Sequence, residues 1–246
     1  MKRLIAVGDI HGQHHMLLTL MADIEPSNDD QIVFLGDYID RGEESPAILD
    51  WLLSFKQQYP KTICLRGNHE QMLLDAVAAA QRKIDGRNTF LDDFMAIRGQ
   101  RLPVAIISYM ANGGMETLAA YNQLTDDFDP CSALCEVPRA HIEFLSNMPY
   151  FWQCRHFFFV HAGVDPKDPT GEKRGMEAFL WQRKSLRTKD SKWDKVVVHG
   201  HTPVAKPQVN EMEINLDTGA GYGKVLTACD LLQMRFWQAS PDTAFT

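Results

Sequence analysis

Five short apolar runs punctuate this chain, at residues 4–7, 32–35, 63–65, 157–160 and 196–198. Each has the length and composition of a buried strand and ends in turn chemistry. Between the first three, the period changes to that of a helix. Leu17, Leu20, Met21 and Ile24 recur at the spacing of one helical face. Ser45-Pro46 opens a second helix, with Ile48, Leu49, Leu52 and Leu53 as its buried stripe. Residues 70–82 read as a third, with Leu73, Leu74 and Val77 inward. Strand and helix alternate as an α/β fold requires.

A different texture fills residues 83–147. It is mixed in polarity and mostly helical in pattern (91–97, 115–121 and 140–145), with breaks at Gly99, Asn112-Gly113-Gly114 and Pro130. The polar motifs resume after it, so it reads as a helical insertion within a single domain of residues 1–246. The tail returns to strands at 212–216, 225–230 and 234–237. A chain of 246 residues, 45% hydrophobic, suits one large domain with a substantial core. Its net charge of −7 offers no broad basic face to nucleic acid. No apolar stretch approaches the roughly 20 residues of a membrane span. Asp9 and His11 interrupt the run after Met1-Lys2-Arg3, which reads as strand and not as a signal peptide. The five cysteines (64, 131, 135, 154 and 229) are odd in number and irregularly spaced, which points to reduced thiols in a cytoplasmic protein. Cys131 and Cys135 read as ordinary helix-face residues.

The residues just beyond each apolar run carry the chemistry. The blocks are Gly8-Asp9-Ile10-His11-Gly12, Gly36-Asp37-Tyr38-Ile39-Asp40-Arg41-Gly42, Gly67-Asn68-His69-Glu70, Val160-His161-Ala162-Gly163 and His199-Gly200-His201-Thr202. Neighbouring strands of an α/β sheet present their carboxyl ends at one edge, so these blocks converge on one small polar site. Carboxylate, imidazole and amide oxygen without thiolate suit borderline divalent ions such as Mn, Fe or Zn. Two such ions roughly 3.5–4 Å apart clamp an in-line displacement at phosphorus. Asp9 and His11, alternate residues on an extended stretch, point the same way and can share one ion. Asp37 can bridge, and Asn68, His161 and His201 complete the second ion. Arg41 offers a planar fork matched to phosphate oxygens.

Together, in order, the blocks resemble the phosphoprotein phosphatase superfamily of two-metal, calcineurin-like phosphoesterases. Within it they are most similar to bacterial and bacteriophage-type serine/threonine phosphatases. Arg66–Met72, the stretch from Gly200 to Pro207, and Asp217-Thr218-Gly219-Ala220 extend the likeness over residues 4 to about 232. The resemblance implies an α/β fold, a two-sheet β-sandwich flanked by helices. It implies two divalent ions, manganese foremost with iron or zinc as alternatives, the first on Asp9, His11 and Asp37, the second on Asp37, Asn68, His161 and His201. It implies phosphate binding by Arg41 and by Arg183 in Leu180-Trp181-Gln182-Arg183. His69 becomes the general acid oriented by Asp40, and Tyr222 lines the site. The expected reaction is hydrolysis of phosphomonoesters by direct attack of a metal-bridging hydroxide, on a phosphoprotein or phosphopeptide. The alternative is symmetrical hydrolysis of diadenosine tetraphosphate, as in a sister group. No nucleic-acid or membrane partner is expected.

Each residue has a plainer competing role. Asp9 and Asp37 could cap helices, and His161 alone would read as a core histidine. His199 reads as a structural neighbour of the site, because Pro203 stands where many two-metal phosphoesterases carry a further ligand. His14 and His15 read as solvated helix residues, and Glu70 as a capping or supporting carboxylate.

Overall fold

Strands β1 (Leu4–Val7), β2 (Gln31–Phe34) and β3 (Ile63–Cys64) run parallel because helices cross between them. These helices are α1 (His14–Ile24) and α2 (Ser45–Gln58), and α3 (Asn68–Ile84) follows β3. The computed structural model of the chain describes residues 2–87, 94–97, 100–122, 128–165, 168, 175, 177–183 and 194–242. Near its end, β11 (Leu226–Asp230) pairs antiparallel with β1, and β12 (Arg235–Ala239) with β11, giving one sheet in the order β12-β11-β1-β2-β3.

The second sheet has the order β6-β7-β8-β10-β9. It comprises β6 (Phe151–Gln153), β7 (Phe157–Val160), β8 (Val196–His199), β9 (Gln208–Val209) and β10 (Glu213–Asn215). Its middle three strands are parallel and its edges antiparallel. Strand side chains alternate between faces, and this explains why the runs are apolar throughout. Leu4 and Ala6 point between the sheets, against Phe159, Val198, Ile214 and Leu216. Ile5 and Val7 point outward into the helical layer with Leu17, Leu20, Ile48, Leu49 and Leu73. Both faces are covered, so no polar alternation survives. The two-sheet sandwich flanked by helices is the architecture the resemblance implied.

Boundaries move by a residue or two. α3 begins at Asn68, earlier than its apolar stripe, because the Glu70 carboxylate folds back to accept the Gly67 N–H at 2.8 Å. The larger correction lies after α3. Residues 94–97, read as helix, form strand β4 (Phe94–Ile97), a hairpin with β5 (Gln100–Pro103) in which Met95 faces Leu102. A short apolar run satisfies either period, and cross-strand pairing decides it. Residues 91–93 and Gly99 lie outside the described residues. The other described elements of this segment are mainly helices: α4 (Val104–Tyr109), α5 (Met115–Tyr121), α6 (Pro130–Cys135) and α7 (Arg139–Ser146). Asn112-Gly113-Gly114 is a kink, with Gly113 at φ 99° in a π-type turn joining α4 to α5. Pro130 starts a helix, its N-terminus capped by Asp129, which accepts the Ser132 N–H. A short helix α8 (Ala178–Trp181) leans on the outer face of the second sheet through Phe179. Among the described residues no helix is long and apolar enough to cross a membrane.

The helical layer is anchored on Phe34, fully buried and edge-on to Trp51 and Phe55 at 6.2 and 6.0 Å between ring centroids. Phe34→Ala is expected to lower the unfolding free energy by about 3–5 kcal/mol. Urea denaturation followed by tryptophan fluorescence measures this, and a loss under about 1 kcal/mol would contradict the packing.

Candidate active site

The turns that leave β1, β2, β3, β7 and β8 carry the polar side chains to one place. They do so on an unusual backbone. His11, Asp37, Asp40, Arg41 and His201 have φ of 50°, 53°, 72°, 66° and 64°, five of the seven left-handed residues other than glycine among the described residues. Each such residue costs on the order of 1–3 kcal/mol and persists only where its surroundings hold it. Here they are held by hydrogen bonds. The Asp37 carbonyl accepts the N–H groups of Ile10 and His11, both at 2.9 Å, tying the first turn to the second. The fully buried Glu70 carboxylate accepts N–H groups from Gly67 (2.8 Å), Asp37 (2.9 Å) and Tyr38 (2.8 Å), tying the second to the third. Glu70 is thus the supporting carboxylate expected from its position. The space is tight: a Cβ on Gly200 would overlap Asp9 Oδ1, and one on Gly67 would overlap Asp37 Oδ1.

Asp37 is the centre. Its Oδ2 lies 3.4 Å from His11 Nε2 and 3.9 Å from His69 Nε2, and its Oδ1 lies 3.3 Å from His161 Nε2. Two groups of ligating atoms therefore share it: His11, Asp37 and His69, and Asp37, His161 and His201, each within 4.8 Å of one another. Asn68 joins the second group, its Oδ1 at 2.9 Å from His161 Nε2 and 2.8 Å from His201 Nδ1. Asp9 joins neither group at that distance. Its Oδ2 accepts the His201 N–H at 2.9 Å, while its buried Oδ1 has no hydrogen-bond partner.

The donor set fits cations. His11 Nδ1–H donates to the Ile39 carbonyl and His161 Nδ1–H to that of Leu35, both at 2.9 Å, so each ring turns its Nε2 into the site. His161 Nε2 then faces Asn68 Oδ1 at 2.9 Å and Asp37 Oδ1 at 3.3 Å, an arrangement that needs a proton on that nitrogen or a cation among the three. The electrostatics of the buried groups make the same demand. Burial disfavours the His161 imidazolium, yet Asp37, its hydrogen bond and Asp9 outweigh that and raise the ring to about 10. Burial also works against the Asp37 carboxylate, but His161 and His69 hold it well below the usual carboxylate range. Burial, reinforced by Asp217, pushes Asp9 well above its ordinary value. Burial lowers His11 to about 3, and burial with neighbouring His161 lowers His201 to about 3, so both stay neutral as ligands must. Asp217, buried and raised by that burial to about 6, adds a carboxylate beside Asp9.

Arg41 spans the front of this pocket. It donates to His11 Nε2 at 2.8 Å and to His69 Nε2 at 3.0 Å, with the exposed Tyr222 ring 4.8 Å beneath its guanidinium carbon. His69 Nδ1–H donates to Asp40 Oδ2 at 2.7 Å. Burial lowers the His69 imidazolium, but Asp37 and Asp40 more than compensate and its pKa is raised. Arg183 is exposed just past α8, and its charge helps keep His201 neutral. His199 stays out of the cluster, its Nδ1 near the Gly200 carbonyl. His15 is exposed and His14 half-buried on α1. Sequence reasoning missed two residues that touch the site from behind, Tyr109 and Thr117, whose hydroxyls both donate to Asp40 Oδ1. Nothing in their local pattern marks them.

Comparison with known proteins agrees with this geometry. The model of the calcineurin-like phosphoesterase family matches residues 2–224. The chain is 50% identical over 64 residues to the catalytic subunit of serine/threonine-protein phosphatase 4 from Eremothecium gossypii, a stretch that is 26% of this chain and only 21% of that relative. A solved protein described as a diadenosine tetraphosphatase superposes with a TM-score of 0.66 at 18% identity, over 98% of this chain and 95% of its own. A cold-active protein-tyrosine phosphatase from a Shewanella species gives 0.58 at 16%, over 99% and 79%. A protein serine/threonine phosphatase from Saccharomyces cerevisiae gives 0.58 at 14%, over 99% and 81%. At these identities the solved structures speak for the fold alone. The family match over nearly the whole chain and two groups able to hold a metal ion, sharing one buried aspartate, lead to one conclusion: this protein belongs to the calcineurin-like phosphoesterases, a family of hydrolases.

Proposed function

We propose that this chain is a phosphoprotein phosphatase acting on phosphoserine and phosphothreonine. The observation that carries the reading is the His69–Asp40 pair standing beside Arg41 and the shared Asp37. An alcohol leaving group, unlike a phosphate, needs a proton as its bond to phosphorus breaks. In this reading the substrate dianion draws the Arg41 fork, with Arg183 as a second cation. That frees His69 Nε2 to carry the proton to the departing oxygen, while Asp40 holds the other ring nitrogen. Tyr222 lines the entrance under Arg41. Two divalent cations, taken here as manganese with iron or zinc as alternatives, would be held by Asp9, His11 and Asp37 and by Asp37, Asn68, His161 and His201. When bound they polarise the phosphoryl oxygens and make a water acidic enough to attack. The products are inorganic phosphate and the free hydroxyl of the protein. A reducing, cytoplasmic setting accords with the five free cysteines.

A second reading, hydrolysis of diadenosine tetraphosphate, is favoured by the likeness to the solved protein of that description. Two assays separate them. With manganese, a phosphothreonine peptide is expected to release inorganic phosphate, and this release should fall by about 10²–10⁴-fold in His69→Asn. ADP formed from the dinucleotide beside an inert peptide would select the second reading.

Chelation is expected to abolish turnover and manganese to restore it; full activity in a verified metal-free preparation would overturn the metal assignment. Asp9→Asn and Arg41→Ala are each expected to cut turnover at least a hundredfold while leaving the circular dichroism spectrum unchanged. Cation binding should also release protons. Without a cation, His161 titrates near 10 and carries its proton at pH 7, whereas His11 and His201, near 3, have none to lose. Calorimetric titration with manganese in buffers of different ionisation heat should therefore report at least one proton released. Enthalpies independent of the buffer would contradict this.

A further inference from the structure

The carboxylate and backbone of Asp40 meet more partners than His69 alone. Asp40 and His69 are both buried, and Asp40 comes from a left-handed turn after β2 that is not shaped by its own sequence neighbours alone. Three groups from beyond that turn meet it. Thr117 Oγ1, on α5, accepts the Asp40 N–H at 3.0 Å and donates its hydroxyl to Asp40 Oδ1 at 2.7 Å. Tyr109, at the end of α4, donates its hydroxyl to the same oxygen at 2.8 Å. Ser45, at the start of α2, lies 2.8 Å from Thr117 Oγ1 and 3.0 Å from the Asp40 nitrogen. Thr117 has one hydrogen and spends it on the carboxylate, so Ser45 is the donor between the two hydroxyls.

The consequence is geometric. A carboxylate on a short side chain can turn about its Cβ–Cγ bond. With Oδ1 taken by two hydroxyls, Oδ2 has one orientation left, toward His69 Nδ1 at 2.7 Å. The hydroxyls are themselves dependable donors. All three side chains from outside the turn are fully buried. Burial, and then Asp40 beside it, push the Tyr109 phenol well above its ordinary value. The kink between α4 and α5 is built to bring both hydroxyls in. A Cβ on Gly114 would lie 2.6 Å from the Tyr109 ring, and one on Gly113 2.8 Å from Arg41 Cγ. The Gly113 carbonyl accepts the Arg41 N–H at 3.0 Å. One helix–kink–helix unit therefore seats both the aspartate and the arginine that follows it.

We propose that Tyr109 and Thr117 are positioning residues of the reaction: they lock the Asp40 carboxylate in the rotation that aims His69, so that the segment after α3 is a working part of the catalytic site. This rests on the reading of His69 as the proton donor. A residue that only supports the fold would lower turnover of every substrate alike. One that aims the acid lowers it only where the leaving group needs a proton.

The test compares kcat/KM of the manganese-loaded full chain on phenyl phosphate, a poor leaving group, and p-nitrophenyl phosphate, a good one. In Tyr109→Phe and in Thr117→Val the ratio of phenyl to nitrophenyl turnover is expected to fall severalfold. In the double variant it should fall roughly tenfold or more, a part of the 10²–10⁴ that general acid catalysis supplies. Thr117→Ser, which keeps the hydroxyl, should restore the ratio, and it keeps the test open if Thr117→Val does not fold. His69→Asn is run beside them. If His69→Asn lowers the ratio and the Tyr109 and Thr117 variants lower both esters equally, the positioning role is overturned while the acid stands. If His69→Asn treats the two esters alike, His69 is not the acid and the proposal falls with that reading.

Discussion

Asp37 must sit as an ionised carboxylate, fully buried, between two sets of imidazoles, and the rest of the site is arranged around that requirement. Burying a lone carboxylate is costly unless charge and hydrogen bonds compensate. Its own backbone is left-handed, its N–H is held by Glu70, and its carbonyl holds the first turn through Ile10 and His11. Its two oxygens divide the histidines, His11 and His69 on one side and His161 on the other. Moving this one residue would uncouple three turns from two sheets. The parallel strands explain why it can be placed at all. Their carboxyl ends lie at one edge with both faces packed, so the turns leave from rigid, covered elements.

The electrostatic pattern arises from the same crowding. Asp9, Asp37 and Asp217 are buried within one cluster, and the neutral rings of His11 and His201 cannot balance them. Arg41 and the protonatable rings of His69 and His161 supply part of the balance, and a cation among the inward ring nitrogens would supply the rest. Proton chemistry occupies the opposite side. His69 is the one histidine of the cluster whose second nitrogen is tied to a carboxylate instead of a carbonyl, which supports its charged form.

The segment after α3 looks in sequence like an appendage but in space is a wall of the site. It supplies the two hydroxyls at Asp40 and the carbonyl that seats the Arg41 backbone. In this fold the clustered carboxylates and imidazoles come from strand ends, whereas the support of Asp40 and of the Arg41 backbone comes from helices far along the chain.

Much of this was legible in the linear pattern. Apolar runs such as 4–7 and 157–160 mark strands covered on both faces, and blocks such as Gly-Asp-x-His-Gly name candidate site residues, because a strand's end and the residues after it lie within a few ångströms by covalent connection alone. Helices α1, α2 and α3 were equally plain, their apolar stripes spanning several turns. The sequence misled at Phe94–Ile97, where four residues suit either period and the pairing partner decides. It was silent on Tyr109 and Thr117, which lie 69 and 77 residues from Asp40. It was silent too on the left-handed backbone at His11, Asp37 and Asp40 themselves, none of which is a glycine. Local chemistry determined which residues could bind a metal or move a proton, since that depends on side-chain type and on neighbours along the chain. Only the tertiary structure decided which oxygen each proton meets, because those contacts join segments brought together by packing.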